Sequence, residues 1–386
     1  MSVGRLDRVV VVGNGIAGLT AADSLRNAGF DGELTIVGDE RHAPYSRPAL
    51  SKAALVDDGE MASHLLPAPD HGAVEILGAS AARLDAVRKI VHLADGTGLP
   101  YDAVFVATGS RARRLGGGSG VEEHTLRTLD DALALRRRLA DRPSVVVLGG
   151  GALGMEIASG CRALGCETTI VSNGAPLAAH LGGHLSGVVL ESALRGGLRV
   201  VASRAAELRD AGGHAGVVLA DGSTIEAEVV VSAVGDLPNL QWLATSGLLT
   251  NGALEADRRG RVGPGVFAAG DVATFPTRRG PTRVPLWTSA IEQSRAAALA
   301  LVRGEEAPEL DFLPYFWTEQ FGHTLKASGF LPLAGEPEVV DGDPGGGSSL
   351  LRWTHDDGTG TAVALNYRIA IPRLRKIGQA LPAAAP

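Results

Sequence analysis

The chain has 386 residues, 45% hydrophobic but only 4% aromatic, with 52 glycines, two cysteines and a net charge of −7. That length allows two or three domains with ample core, and the negative balance argues against general nucleic-acid binding. No apolar run of about 18 residues free of charge and no signal-peptide pattern is present, so a soluble, cytoplasmic protein is expected. Cys161 and Cys166 are too few for a disulfide scaffold and fit a reducing compartment.

Val9-Val10-Val11-Val12 runs directly into Gly13-Asn14-Gly15-Ile16-Ala17-Gly18. The β-branched residues read as a strand buried on both faces, as in a parallel sheet. Gly13 and Gly15 allow a tight turn where bare backbone approaches a pyrophosphate, and Gly18 lets the next helix lie close on the strand. That helix, read over residues 19–28, aims free N–H groups and its positive dipole end at the phosphates and stops at Gly29. Residues 33–37 read as the second strand, and Asp39, with Glu40 beside it, stands at the offset where an acid reaches a ribose diol. This unit is expected to hold the adenosine diphosphate half of a dinucleotide.

Residues 41–52 are a loop by their prolines, rich in Arg41, Tyr45, Arg47 and Lys52, and run into a short helix. Residues 74–95 read as short strands, with a hairpin turn at 94–98, and 103–106 as a buried strand ending in Ala107-Thr108-Gly109. Residues 111–120, basic and then glycine-rich, read as a hinge, and a helix follows over 129–139. The opening pattern then returns: a valine strand, Gly149-Gly150-Gly151-Ala152-Leu153-Gly154, Glu156 on the following helix, and a second strand at 168–171. Two such units are far more specific than one. Further strand ends lie at Gly235 with Pro238-Asn239 and at Ala269-Gly270-Asp271, and a small-residue helix spans 290–303. From Leu310 the chain turns aromatic, with alternating runs that suggest an antiparallel α+β module, and residues 382–386 read as a frayed tail.

In this order the motifs, joined by Arg47-Pro48 with Leu50-Ser51-Lys52 and by Phe316-Trp317-Thr318-Glu319-Gln320, resemble those of a known family. It is the FAD-dependent, NADH-using ferredoxin reductases of bacterial oxygenase systems, in the pyridine nucleotide-disulfide oxidoreductase superfamily. The resemblance covers nearly the whole chain. It implies an α/β fold with two Rossmann-like dinucleotide-binding domains and a C-terminal α+β interface domain. The FAD domain would be residues 1–110 and 236–308, split around an NAD(P) domain at 111–235, with the interface domain at 309–386. It further implies FAD and NADH as cofactors, with NADPH left open, and a small [2Fe–2S] ferredoxin as partner.

Carried over by motif position, Gly13, Gly15, Ile16, Ala17 and Gly18, with Asp39 and Glu40, hold the adenosine diphosphate. Arg47, Lys52, Ala107, Thr108 and Gly109 line the flavin side, Asp271 after Gly270 bonds the ribityl chain, and Pro285, Leu286 and Trp287 lie against the flavin ring. Gly150, Gly151, Leu153, Gly154, Ser172 and Gly235 belong to the nicotinamide-nucleotide site, and Lys52 with Glu156 forms the catalytic pair near flavin N5. A charged Glu156 on the helix leaving a buried turn needs a partner on physical grounds as well. Hydride transfer needs no side-chain nucleophile, because flavin and nicotinamide carry the chemistry. No Ser/His/Asp or Cys/His constellation is evident, and the ten histidines show no metal-ligand spacing.

Two departures matter. The acid that usually ends the second strand of the NAD unit is Ser172 here, with no Lys or Arg from 172 to 194 to hold a 2′-phosphate. The family's flavin-facing Glu-His-Trp-Asp-Asn run reads Pro285-Leu286-Trp287-Thr288-Ser289. Two further readings therefore stay open: a stand-alone flavoenzyme acting on a small molecule, and a binding protein whose flavin is structural. Arg278, Arg279 and Arg283, and separately Arg368, Arg373, Arg375 and Lys376, are candidate docking points for an acidic ferredoxin. The cysteines read as small buried apolar residues rather than a redox pair.

Overall fold

The computed structural model describes residues 6–56, 64–116 and 120–379, which fall into two compact units. Within the described residues, one unit takes Met1–Ser46, His64–Arg111 and Leu237–Phe312, and the other Arg47–Ser63, Ala112–Asp236 and Leu313–Pro386. The tail at 382–386 and the centre of the glycine run, 117–119, lie outside the described residues.

In the first unit the valine run forms the strand Arg8–Val12 inside a six-stranded sheet. The spatial order is Arg261–Gly263, Val266–Ala268, Ala103–Val106, Arg8–Val12, Glu33–Gly38, Val74–Leu77, all parallel except the antiparallel first edge. Side chains alternate along a strand, so one run serves two cores. Val9 and Val11 pack with Leu25, Ile36, Phe105 and Phe267 beneath the helices Ile16–Asn27 and Trp287–Arg303. Val10 and Val12 face the opposite way, toward Leu84, Val91, Tyr101 and Val104. Burying each valine contributes about 1.5–3 kcal/mol, so a run with no polar side is fixed as a central strand.

The first helix begins at Ile16, ahead of residue 19, because Gly15 is already the extended cap residue. The helix read as 290–303 begins at Trp287: Leu286 is the extended cap, and its carbonyl accepts the Ala290 N–H at 3.0 Å.

The second unit repeats the plan with a parallel sheet in the order Arg199–Ala202, Thr168–Ser172, Val145–Leu148, Val229–Ser232, Glu123–His124. Its helix Leu129–Leu139 starts in a capping box, with Asp131 N–H donating to Thr128 Oγ1 at 3.2 Å and Thr128 N–H donating to Asp131 Oδ2 at 3.1 Å. Helix Ala152–Ala163 carries Gly160, where a Cβ would come within 2.8 Å of Leu55. That notch seats Leu55, and with it residues 47–56, which the sequence reading keeps with 1–110, pack in this unit.

The chain from Leu313 also packs here. Its antiparallel sheet runs Tyr315–Gln320, His323–Ser328, Gly360–Leu365, Ser348–Thr354, Glu338–Asp343. Helix Ile371–Gln379 inserts Leu374 against Leu350, Ala362 and Ala364, and lies close because a Cβ on Gly378 would sit 2.6 Å from the Ser328 carbonyl. Among the described residues no helix is long and apolar enough to cross a membrane.

Candidate functional site

The first glycine turn closes on the neighbouring strand end. Gly13 has φ +118°, its N–H donates to the Val37 carbonyl at 2.7 Å, and a Cβ there would lie 2.1 Å from the Ala107 carbonyl oxygen. A Cβ on Gly18 would lie 1.8 Å from the Gly13 carbonyl oxygen, so both positions exclude any side chain. Gly15 caps the helix without a side-chain acceptor, leaving the N–H groups around Ile16, Ala17 and Gly18 for a ligand. Asn14 Oδ1 is buried in the same turn with no hydrogen-bond partner among the described residues. Such an orphaned acceptor fits a polar ligand at the turn. Gly270 (φ +80°) would bring a Cβ 3.0 Å from that of Ala17, and its N–H donates to Gln293 Oε1 at 2.8 Å.

Around this turn the first unit gathers most of the flavin-side residues read from sequence. Asp39 is exposed just past the strand Glu33–Gly38, and Glu40 accepts the Tyr45 hydroxyl. Ala107 is buried, and Gly109 (φ +62°) lets the chain turn after Thr108. Ser110 Oγ donates to Asp271 Oδ2 at 3.4 Å, and Arg283 Nε donates to the Asp271 carbonyl at 2.7 Å. Arg283 is thus engaged at this turn, and Arg278, itself exposed, pairs with Asp311 at 3.4 Å. Pro285 is exposed, and Leu286 and Trp287 are half-buried at the helix start.

The second unit reproduces the turn. Gly149 has φ +108° and would place a Cβ 2.3 Å from the Ala233 carbonyl oxygen, while a Cβ on Gly154 would lie 1.9 Å from the Gly149 carbonyl oxygen. Gly149 is absent from the residues picked from sequence, although the spacing that separates Gly13 from Gly18 also separates it from Gly154. Gly150 has a different duty: a Cβ would lie 2.2 Å from Ser172 Oγ, so the buried serine packs on this glycine. Gly151 caps the helix, Leu153 is exposed, and Gly235 (φ +102°) accepts the Arg113 N–H at 3.0 Å.

Glu156 lies one turn into this helix and is 6% exposed. Lys52 Nζ stands 2.9 Å from Glu156 Oε1, as expected, and 5.9 Å from the Trp317 ring centroid. Two donors that the sequence reading did not single out complete the carboxylate: Ser51 Oγ bonds Oε2, and Thr318 Oγ1 donates to Oε1 at 2.6 Å. A buried carboxylate is tolerable because it is surrounded in this way. Arg47 Nη1 donates to the Arg127 carbonyl at 2.9 Å.

One cluster brings a serine and a histidine together without forming a catalytic constellation. Ser192 Oγ lies 2.8 Å from His323 Nε2, and Asn366 Nδ2 lies 3.2 Å from His323 Nδ1. Asn366 Oδ1 already accepts the Thr324 N–H at 2.8 Å, so the amide NH₂ faces the ring. His323 Nδ1 must then accept and Nε2 must donate to Ser192, the wrong tautomer for a general base. Both cysteines are free and buried; burial pushes the Cys161 thiol up to about 12 and raises Cys166 as well, so neither offers a reactive thiolate. Among the described residues no group of three or more His, Cys, Asp or Glu side chains is placed to hold a metal.

Two largely parallel sheets, each ending a central strand in a bare-backbone glycine turn under a helix N-terminus, give the chain two turns of the dinucleotide-binding type. The chain belongs to the pyridine nucleotide-disulphide oxidoreductase family, whose sequence profile matches residues 7–294. It is 35% identical, over 93% of its own length and 90% of the relative's, to the anthranilate 1,2-dioxygenase system ferredoxin–NAD(+) reductase component of Burkholderia cepacia. Among solved structures it is similar to the ferredoxin reductase for the CYP199A2 system from Rhodopseudomonas palustris, with a TM-score of 0.86 and 31% identity over 94% of this chain and 91% of that one. It is also similar to the covalent putidaredoxin reductase–putidaredoxin complex, with a TM-score of 0.85 and 26% identity over 93% and 90%.

Proposed function

We propose that the chain is an FAD-dependent NAD(P)H:ferredoxin reductase that passes electrons from a reduced nicotinamide nucleotide to a small [2Fe–2S] ferredoxin. The duplicated cradle carries this reading: Gly13 with Gly18, and Gly149 with Gly154, repeat one arrangement that admits backbone and excludes side chains. The names of the relatives supply the ferredoxin.

The residues of the first cradle fit FAD. A bare helix N-terminus suits the pyrophosphate, the orphaned Asn14 acceptor suits a hydroxyl of the ligand, Asp39 suits the adenosine ribose, and Asp271, steadied by Ser110, suits the ribityl hydroxyls. The second cradle, with Ser172 packed on Gly150, is assigned to the nicotinamide nucleotide. Bound flavin supplies the exchange of a hydride, two electrons with a proton, for single electrons passed to two ferredoxins. The chain's own residues bind, orient and balance charge. Lys52, tied to Glu156, is assigned to the hydride-transfer step as a fixed positive charge for the negative charge that develops there.

Ser172 offers neither a carboxylate for the ribose hydroxyls nor a cation for a 2′-phosphate, so NADH with modest discrimination is the assigned donor. Arg368, Arg373 and Lys376, exposed at and before the helix Ile371–Gln379, are the surface assigned to an acidic ferredoxin. The reading goes with a cytoplasmic protein, where free thiols stay reduced.

The test is anaerobic titration of the purified yellow protein with NADH and then NADPH. Bleaching of the oxidised-flavin absorbance by NADH is expected. A colourless protein that cannot be reconstituted with FAD, or a flavin that both nucleotides leave oxidised, contradicts the reading.

A further inference from the structure

The buried carboxylate of Glu156 is fully engaged. Lys52 Nζ (2.9 Å) and Thr318 Oγ1 (2.6 Å) share Oε1, and Ser51 Oγ holds Oε2. The direction of the threonine bond is determined: Gln320 Nε2 donates to Thr318 Oγ1 at 2.9 Å, so the hydroxyl proton goes to Glu156. One turn further along the same helix, Ser159 Oγ accepts the Phe321 N–H at 2.8 Å, pinning the strand Tyr315–Gln320 at a second point. Lys52 in turn donates to the Pro48 carbonyl at 3.2 Å. The ion pair is therefore held by elements far apart in sequence, and the C-terminal strand reaches it through one hydroxyl.

We propose that Thr318 and Ser51 are positioning residues for the Lys52–Glu156 pair, their hydroxyls fixing the carboxylate so that the Lys52 ammonium is held in one place. This rests on the ferredoxin-reductase reading for its catalytic consequence but not for its structural one. Without the two hydroxyls the carboxylate keeps a single partner and turns about its terminal bond, and the ammonium moves with it. The charge assigned to hydride transfer then loses its preorganisation, while nucleotide binding at the glycine turn is untouched.

The variants are Thr318→Val, which keeps the shape without the hydroxyl, Thr318→Ser, which keeps the hydroxyl, and Ser51→Ala, which frees the other oxygen should Thr318→Val fail to fold. The first readout needs no turnover: acylation by acetic anhydride, scored by mass spectrometry at Lys52 relative to the other lysines, Lys89, Lys326 and Lys376. Lys52 should react about threefold faster relative to them in Thr318→Val and Ser51→Ala but not in Thr318→Ser. In stopped flow, the limiting rate of flavin reduction by NADH should fall about tenfold in Thr318→Val and Ser51→Ala with NADH affinity unchanged, and Thr318→Ser should restore most of it. Unchanged Lys52 reactivity in both Thr318→Val and Ser51→Ala, or equal losses in Thr318→Val and Thr318→Ser, overturns the proposal. A wild-type flavin that NADH does not reduce overturns the reductase reading instead, and the acylation comparison still decides the positioning role.

Discussion

Asn239 and Thr108 bond each other twice: Thr108 Oγ1 donates to the Asn239 carbonyl at 3.0 Å, and Asn239 Nδ2 donates to the Thr108 carbonyl at 2.9 Å. The Asn239 N–H also reaches the Gly109 carbonyl at 3.0 Å, so the turn that ends the strand Ala103–Val106 is clamped by the chain returning past Leu237. Asn239→Ala removes one of these bonds and orphans a part-buried carbonyl. It should destabilise the protein by about 1–3 kcal/mol and speed FAD loss. Urea unfolding and the rate of flavin release check this; a variant matching wild type in both shows that the clamp is incidental.

The two glycine turns should separate by function when each is filled. In Gly13→Ala the new Cβ meets the Ala107 carbonyl, and in Gly149→Ala the Ala233 carbonyl, both at positive φ. Gly13→Ala should be purified with little FAD. Gly149→Ala should keep its flavin but need at least about tenfold more NADH to reduce it. Flavin content and NADH titration are the measurements, and the reverse pattern contradicts the assignment of the two cradles.

Much of this was legible in the sequence. The valine runs, the glycine spacing and the second occurrence of both identify the sheets, because a strand buried on two faces has no polar side to disguise it. The Lys52–Glu156 pair was legible through the family resemblance, with the rule that a buried charge demands a partner in its support. Ser51 and Thr318 were not, since hydroxyls at single positions carry no periodicity and become donors only when a distant strand is brought to the helix. Gly149 was readable from its spacing but hidden in a run of three glycines. The placement of residues 47–56 depended on a notch at Gly160 that no local pattern announces. The Ser192–His323–Asn366 cluster joins a helix to two places in the C-terminal sheet and leaves no local trace either.

Ser172 should set nucleotide choice. Ser172→Asp places a carboxylate at the end of the strand Thr168–Ser172, where it can take the ribose hydroxyls and repel a 2′-phosphate. Charge-assisted bonds of about 1.5–3 kcal/mol predict at least a tenfold gain in the NADH-to-NADPH ratio of kcat/KM. Gly150 lies against this side chain, so the NADH term alone is a stricter check than the ratio. A native enzyme that strongly prefers NADPH contradicts the reading of Ser172.

Stability should fall on the alkaline side. Burial pushes both the Cys161 thiol and the Tyr101 phenol up to about 12, from ordinary values of 9.0 and 10.0. Both are raised in the fold, so the contribution is complete below pH 9 and is lost as pH climbs toward 12, when the unfolded chain gives up protons that the fold retains. The loss approaches about 1.4 kcal/mol per pH unit for each group above its unfolded value. Urea midpoints should hold steady from pH 7 to about 8.5 and drop between about 9.5 and 11. Cys161→Ala should shallow that slope, and an unchanged slope contradicts the assignment. The same variant should turn over normally, since no thiolate takes part.

Anaerobic reduction of a [2Fe–2S] ferredoxin by NADH, with the purified protein as sole catalyst, tests the proposed activity most directly. Two ferredoxins should be reduced for each NADH consumed, the ratio that balances a hydride against single electrons. The rate should fall as salt screens the contact with an acidic partner. A flavin that NADH reduces readily but that no ferredoxin from the same organism reoxidises, while a small organic molecule does, contradicts it.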